Sequence, residues 1–380
     1  NYDVKIFTDN VEDVALEQIM QLLSIDVFSG CKIRIMPDVH AGAGCVIGFT
    51  GDLGDKVIPN IVGVDIGCGI LVQPFKCEKD IDFHEFNEYI LKAIPIGRNF
   101  RGPEHLPLPE KYMPEYREAK QITRSLHCYR DLKNSKRIDK SIGSLGGGNH
   151  FIELNKDESG LLYLVVHTGS RNLGKQVADF YQQMAIKSLT KNGETLLPKA
   201  LCFLQGEQKE KYLHDMKLCQ RWAVLNRKLI IGLLMDFLQA NSYVSSVNNE
   251  DAFESVHNYI SDENLIRKGA ISAKLGEKCI IPMNMRDGSL ICIGKGNEDW
   301  NNSAPHGAGR VMSRTKAFEI IELNDFKESM KGIYSETISE GTKDESPMVY
   351  KPMQEIVENI SDTVTIINTI KPIFNFKAAE

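Results

Sequence analysis

The residues of this chain best equipped for chemistry stand among glycines. The stretch Val62-Gly63-Val64-Asp65-Ile66-Gly67-Cys68-Gly69 offers a carboxylate and a thiol three residues apart, with three glycines around them. Glycine admits backbone torsions and close approaches that side chains forbid. Asp65 and Cys68 are therefore candidate metal ligands or a nucleophile pair. The plainer alternative is a turn-capping Asp beside a buried free Cys. Four of the nine histidines share such a context. His40 ends Pro37-Asp38-Val39-His40, just ahead of Ala41-Gly42-Ala43-Gly44. His150 ends a run of three glycines and Asn149. His167 opens His167-Thr168-Gly169-Ser170-Arg171. His306 lies between Pro305 and Gly307, with no bulky neighbour to block its imidazole. His257 lacks glycines nearby, and His84, His105, His127 and His214 suggest no role. Imidazole, thiolate and carboxylate form a mixed transition-metal ligand set. So many donors exceed one tetrahedral site unless two metals share a bridging thiolate.

These groups need elements to bring them together. The apolar run Ile61 to Val64 reads as a buried strand delivering Asp65 and Cys68. Cys31 to Met36 reads as a strand opening into a loop that carries Asp38 and His40. Asn10 looks like the N-cap of a helix that runs to about Leu23. Ser141 to His150 could turn backbone N–H groups toward an anion, ahead of a strand beginning at Phe151. Leu161 to Val166 reads as a strand ending at His167, and a helix follows from Gly174. That order suits phosphate at a helix N-terminus, although the Walker A order is absent. Residues 81–93 and 209–240 read as helices, and 249–257 continue helically to His257. Cys279–Pro282 and Ser289–Ile293 read as strands around the turn dipeptide Asp287-Gly288. Thr363 to Phe376 reads as further strand, ending at Lys377. Strands and helices intermix without a regular βαβ beat. The expectation is one α+β domain over residues 1–380, with strands gathered around the site.

Composition sets the class. The chain has 380 residues, 42% hydrophobic and 25% charged, within the range of soluble globular proteins. A net charge of −6 argues against a general nucleic-acid coat protein but leaves room for a local basic groove. Residues 111–140 carry nine Lys/Arg against four acids, with Tyr112, Tyr116 and Tyr129 interleaved. That stretch is either a candidate phosphate-backbone surface or a solvated helical face. No run approaches the length of a membrane span, and the first residues show no signal-type apolar run. Nine cysteines at irregular spacing, with no C-x-x-C pair, point to a reducing cytoplasmic setting.

Taken together, the motifs resemble the RtcB family of GTP-dependent RNA-splicing and repair ligases. The matching stretches are Met36-Pro-Asp-Val-His40, Val62 to Gly69, Gly143-Ser-Leu-Gly-Gly-Gly-Asn-His-Phe-Ile-Glu153, His167-Thr-Gly-Ser-Arg171, His257-Asn-Tyr259, Arg267-Lys-Gly-Ala270 and His306-Gly-Ala-Gly-Arg310. They run in order across nearly the whole chain. The resemblance implies a pair of Mn2+ ions, with Cys68 bridging and Asp65, His150, His167 and His257 completing the ligand set. Ligand type alone would favour zinc over manganese. It also implies that His306 attacks the α-phosphate of GTP and carries GMP. The GMP then passes to an RNA 3′-phosphate, and a 5′-hydroxyl end displaces it. Ends bearing a 2′,3′-cyclic phosphate would be opened first.

Nucleotide contacts implied in the same way are Asn149, His150, Phe151, Ile152, Glu153, His257, Asn258, Pro282, Met283, Asn284, Met285, Ser289, His306, Gly307, Ala308, Gly309 and Lys377. Asp38 and His40 would sit beside the site. The expected partners are GTP, RNA with such ends, and a protein activator of the archease type, with no membrane. One departure stands out. Family members often have Pro-Gly-Ser-Met-Gly where this chain has Pro282-Met283-Asn284-Met285-Arg286. The alternative function is a binuclear-metal phosphoesterase acting on RNA terminal or cyclic phosphates. It needs the metal ligands but not His306. A non-catalytic RNA-binding protein is the third reading.

Overall fold

The computed structural model describes residues 3–379; Asn1, Tyr2 and Glu380, at the edges of the expected domain, lie outside them. Helices and mostly antiparallel strands intermix, and two sheets organise the chain. The larger has eight strands. Its path runs Val244–Val247, Gly69–Cys77, Leu162–Thr168, Phe151–Lys156, Val364–Lys377, Gly288–Gly294, Lys278–Asn284, and Phe253–Val256 pairs beside Gly69–Cys77. The smaller has five strands, in the order Asp3–Ile6, Lys32–His40, Ile47–Asp52, Leu265–Lys268, Asn258–Ile260. Its one parallel pair is Asp3–Ile6 with Lys32–His40.

Register explains where the chemistry gathers. Across the large sheet Val256 pairs with Gly69, Gly69 with Thr168, His167 with Phe151, and Phe151 with Lys377. These paired positions, a row offset by one residue between Thr168 and His167, cross five neighbouring strands. Cys68 immediately precedes the row and His257 immediately follows it. Residues scattered between 68 and 377 meet because each stands at the same end of its strand.

The helix Gly206–Ala240 lies against this sheet, with Leu225, Leu229, Leu233 and Leu234 in the main buried cluster. Its polar residues Asn226 and Arg227 are wholly buried as well. Asn226 accepts from the N–H groups of Gly143 and Ser144 and donates to the carbonyls of Ser144 and Gly169. Arg227 donates to the carbonyls of Gly67 and Thr168. The helix thus holds three loops of the site at once.

Several expected elements differ. Pro59–Val62 is a short helical turn, not a strand, with Pro at its start, where a missing N–H is harmless. Ile61 and Val62 are apolar because they are buried, so Asp65 and Cys68 stand on a loop ahead of the Gly69–Cys77 strand. Residues 253–256 are a strand, since pairing with Gly69–Val72 overrides helical patterning. Lys32–His40 is a single strand that carries Asp38 and His40, and its register breaks between Ile35 and His40. The first helix is Asp13–Leu23 with Glu12 at its N-cap position; Asn10 instead donates to Glu355. The helix after His167 begins at Arg171. The N–H groups of Gly143 and Ser144, expected to face an anion, are taken by Asn226.

Candidate metal and nucleotide site

Cys68, His150 and His167 are buried, and their ligand atoms lie within 4.8 Å of one another. The Cys68 Sγ is 3.3 Å from His167 Nε2 and 3.5 Å from His150 Nε2. His150 Nε2 is 3.0 Å from Asp65 Oδ2, and His167 Nε2 is 3.4 Å from His257 Nε2. The outer nitrogens fix the tautomers. His150 Nδ1 donates to the Leu145 carbonyl at 2.9 Å, and His167 Nδ1 to the Asn149 carbonyl at 3.0 Å. In the neutral rings both Nε2 atoms then carry the lone pair. They point at a carboxylate, a sulfur and another imidazole nitrogen. Groups so placed need protons or a cation among them, and a cation would be shared by all of them. The backing of imidazoles by carbonyls is also how metal-ligating histidines are usually held. The donor set therefore fits transition-metal ions.

Electrostatics agree with that fit. Burial pushes His167 and His257 well below the usual imidazole range, so both rings are neutral. Burial would raise Asp65, but its hydrogen bond and interaction with His150 bring it down to about 2. Burial and then the Asp65 charge push the Cys68 thiol well up. A cation at this place reverses that direction and makes a thiolate. Gly67 earns its type here. Its φ is +71°, and a Cβ would come within 2.8 Å of the Gln220 Cα on the long helix.

His306 adjoins this cluster. Its ring centre is 4.8 Å from that of His257. Asp38 Oδ2 accepts from His306 Nδ1 at 2.6 Å and from His306 N at 3.1 Å. The carboxylate is wholly buried. With Nδ1–H committed to Asp38, the neutral ring carries its lone pair on Nε2. His40 Nδ1 donates to the Asp38 carbonyl at 2.8 Å, and burial lowers its pKa to about 4.

His306 also lines a cavity of about 550 Å³, a size suited to a nucleotide. Asn149, Phe151, Glu153, Pro282, Met283, Asn284, Met285, Ser289, Gly307, Ala308, Gly309 and Lys377 line it too. His150 and His257 stand in the histidine cluster instead. Ile152 lies in the core, because strand alternation turns it away from the face shared by Phe151 and Glu153. Asn258 does not line the cavity; it bonds the Asp65 carbonyl and the Gly269 N–H. Ser289 Oγ is buried with no protein partner, leaving a polar group for a ligand.

At the departure from the family pattern, Asn284 is turned inward on its own loop. Its Oδ1 accepts from Arg286 N and Asp287 N, and its Nδ2 donates to Asp287 Oδ2. The Arg286 guanidinium is occupied by Asp287.

Several residues at the site received no role from the sequence, although Lys268 stood within the Arg267-Lys-Gly-Ala270 stretch. Glu345 is buried and accepts from Lys377 Nζ at 2.6 Å, Tyr350 Oη at 2.6 Å and Arg310 Nη1 at 3.3 Å. Burial would raise it, yet Lys377, Arg314 and Arg310 bring it down to about 2. Lys268 Nζ donates to the carbonyls of Ala43, Cys45 and Asn60, pinning the glycine-rich loop after His40. Asn226 and Arg227 were legible only as polar breaks in an apolar helix face. Glu345 left no local signal.

The fold and the site together bring a buried cluster of candidate metal ligands beside a cavity of about 550 Å³ with a presented imidazole. Comparison with known proteins carries the assignment to a family. The model of the family described as tRNA-splicing ligase RtcB matches residues 18–378. RNA-splicing ligase RtcB of Escherichia coli (strain K12) is 32% identical over 401 residues, covering 98% of this chain and 97% of that protein. tRNA-splicing ligase RtcB of Methanococcus maripaludis is 26% identical, covering 94% and 90%. RNA-splicing ligase RtcB homolog 2 of Entamoeba dispar is 27% identical, covering 91% and 80%. The chain belongs to the RtcB family.

Proposed function

We propose that residues 1–380 act as one ligase domain that joins RNA 3′-phosphate or 2′,3′-cyclic phosphate ends to 5′-hydroxyl ends, in RNA repair or tRNA splicing. GTP and two Mn2+ ions serve the reaction. The observation that carries this reading is the convergence of His306, held by Asp38, with the Cys68–His150–His167 cluster beside the cavity. Family membership and the names of its relatives support it.

Asp65, Cys68, His150, His167 and His257 would hold the metals. Bound there, the ions supply charge neutralisation at phosphate oxygens. His306 Nε2 attacks the α-phosphorus of GTP, a P–N bond forms, and pyrophosphate leaves with the electrons of the broken P–O bond. Asp38 holds the ring through Nδ1–H and stabilises the imidazolium that develops. GMP then passes from His306 to the RNA 3′-phosphate, and the 5′-hydroxyl displaces it.

Phe151, Ser289, Lys377 and the 282–285 segment would bind the nucleotide. Asn284 and Arg286 are engaged within their own turn, so their backbone contributes there. A reducing cytoplasmic setting suits nine free cysteines, and no helix among the described residues is long and apolar enough to cross a membrane. A protein activator of the archease type remains part of the proposal.

The test is incubation with α-phosphate-labelled GTP and Mn2+. Native protein gains acid-labile label and His306→Ala gains none. Processing of RNA ends by His306→Ala at the native rate would instead support the phosphoesterase.

A further inference from the structure

The cations of the basic stretch 111–140 are engaged in different ways. Lys111, Arg117 and Arg124 pair with Asp236, Glu110 and Asp139. Arg137 and Lys140 instead converge on an aromatic ring. The Arg137 guanidinium lies 5.4 Å and the Lys140 ammonium 5.8 Å from the centre of Phe100. Arg137 Nη2 also donates to the Arg98 carbonyl at 2.7 Å. Arg98, Arg137 and Lys140 are exposed. Among the described residues none of these three forms an ion pair with a carboxylate, in a chain whose net charge is −6.

The loop that carries Arg98 and Phe100 is fastened to the metal site. Gly97 N donates to the Gly146 carbonyl at 2.9 Å, and Leu145 N to the Pro95 carbonyl at 2.9 Å. Arg171 Nη2 donates to the Gly97 carbonyl at 2.6 Å. Leu145 in turn carries the carbonyl that holds His150. A continuous path thus leads from the histidine cluster to three unneutralised cations.

Like charges gathered this way repel one another, and two are ordered by contact with one ring. A polyanion offsets that repulsion, and side chains already ordered lose less freedom when it binds. We infer that the surface from Gly97 through Arg98 and Phe100 to Arg137 and Lys140 carries the sugar–phosphate backbone of an RNA strand leading away from the metal site. The identity of the strand rests on the ligase reading.

The experiment measures binding of a single-stranded RNA oligonucleotide to full-length protein across a salt series. Each lost phosphate contact flattens the log–log salt slope by roughly 0.7 for single strands. Arg137→Gln/Lys140→Gln is expected to flatten it by about 1.4 and to weaken binding several-fold at physiological salt. Lys175→Gln/Lys211→Gln removes the same charge from cations paired with Asp179 and Glu207, and is expected to keep the native slope. A native slope in the first variant, or equal flattening in both, overturns the proposal. GMP labelling is read separately on native protein, without RNA. Failure to label would sink the ligase reading, while the slopes would still decide the surface.

Discussion

Asp38 shows how much one carboxylate can decide. Its Oδ2 binds both the backbone and the ring of His306, so it sets the tautomer and aims Nε2. Asp38→Asn is expected to lower the rate of GMP labelling by roughly 10²–10⁴ through the wrong tautomer, with metal content of the purified protein unchanged. Cys68→Ser should do the reverse: metal content, read by elemental analysis, falls because the proposed sulfur ligand is gone. The sequence marked both residues, through Met36-Pro-Asp-Val-His40 and the Asp65–Cys68 stretch. It could not show that Asp38 addresses His306, since 268 residues separate them. Ile152 and Asn258 were marked by motif alone, and their side chains lie off the cavity for reasons of strand alternation and loop bonding.

At the scale of elements, the site depends on close backbone approach. Gly309 has φ +76°, and a Cβ there would lie 2.4 Å from the Asp38 carbonyl oxygen. The neighbour is backbone, so nothing cheap can move aside. Gly309→Ala is expected to cost about 1–3 kcal/mol in stability, read by denaturant unfolding, and to reduce GMP labelling by displacing Asp38. The strands of the large sheet around this site were readable because their apolar runs are bounded by glycine and turn dipeptides. The strand expected over Ile61 to Val64 was misread because a short apolar run fits a turn of helix as well as a strand. The helix expected over 249–257 gave way to strand pairing at Phe253–Val256. Packing against distant partners decided each.

For the whole molecule, Glu345 joins the cavity wall to the interior. It neutralises Lys377 and Arg310, both largely buried. Glu345→Gln leaves those cations uncompensated and is expected to cost roughly 3–5 kcal/mol, measured as a shift in denaturant midpoint. Its folded pKa, about 2, lies below the ordinary 4.5. The stability it contributes is therefore complete above pH 4.5 and is lost as pH falls toward 2. Native protein should weaken across that window, and Glu345→Gln should show a smaller loss there. The α+β class was legible from the intermixed patterning. The pairing order of the strands was not, because it joins segments hundreds of residues apart.

The Val364–Lys377 strand lies in the interior of the large sheet, between Phe151–Lys156 and Gly288–Gly294. A nascent chain still lacking it exposes two open edges and has no Lys377 to approach Glu345. Synthesis therefore imposes a delay. Partly made copies emerging from the ribosome lack a wall of the cavity until that late segment slots home.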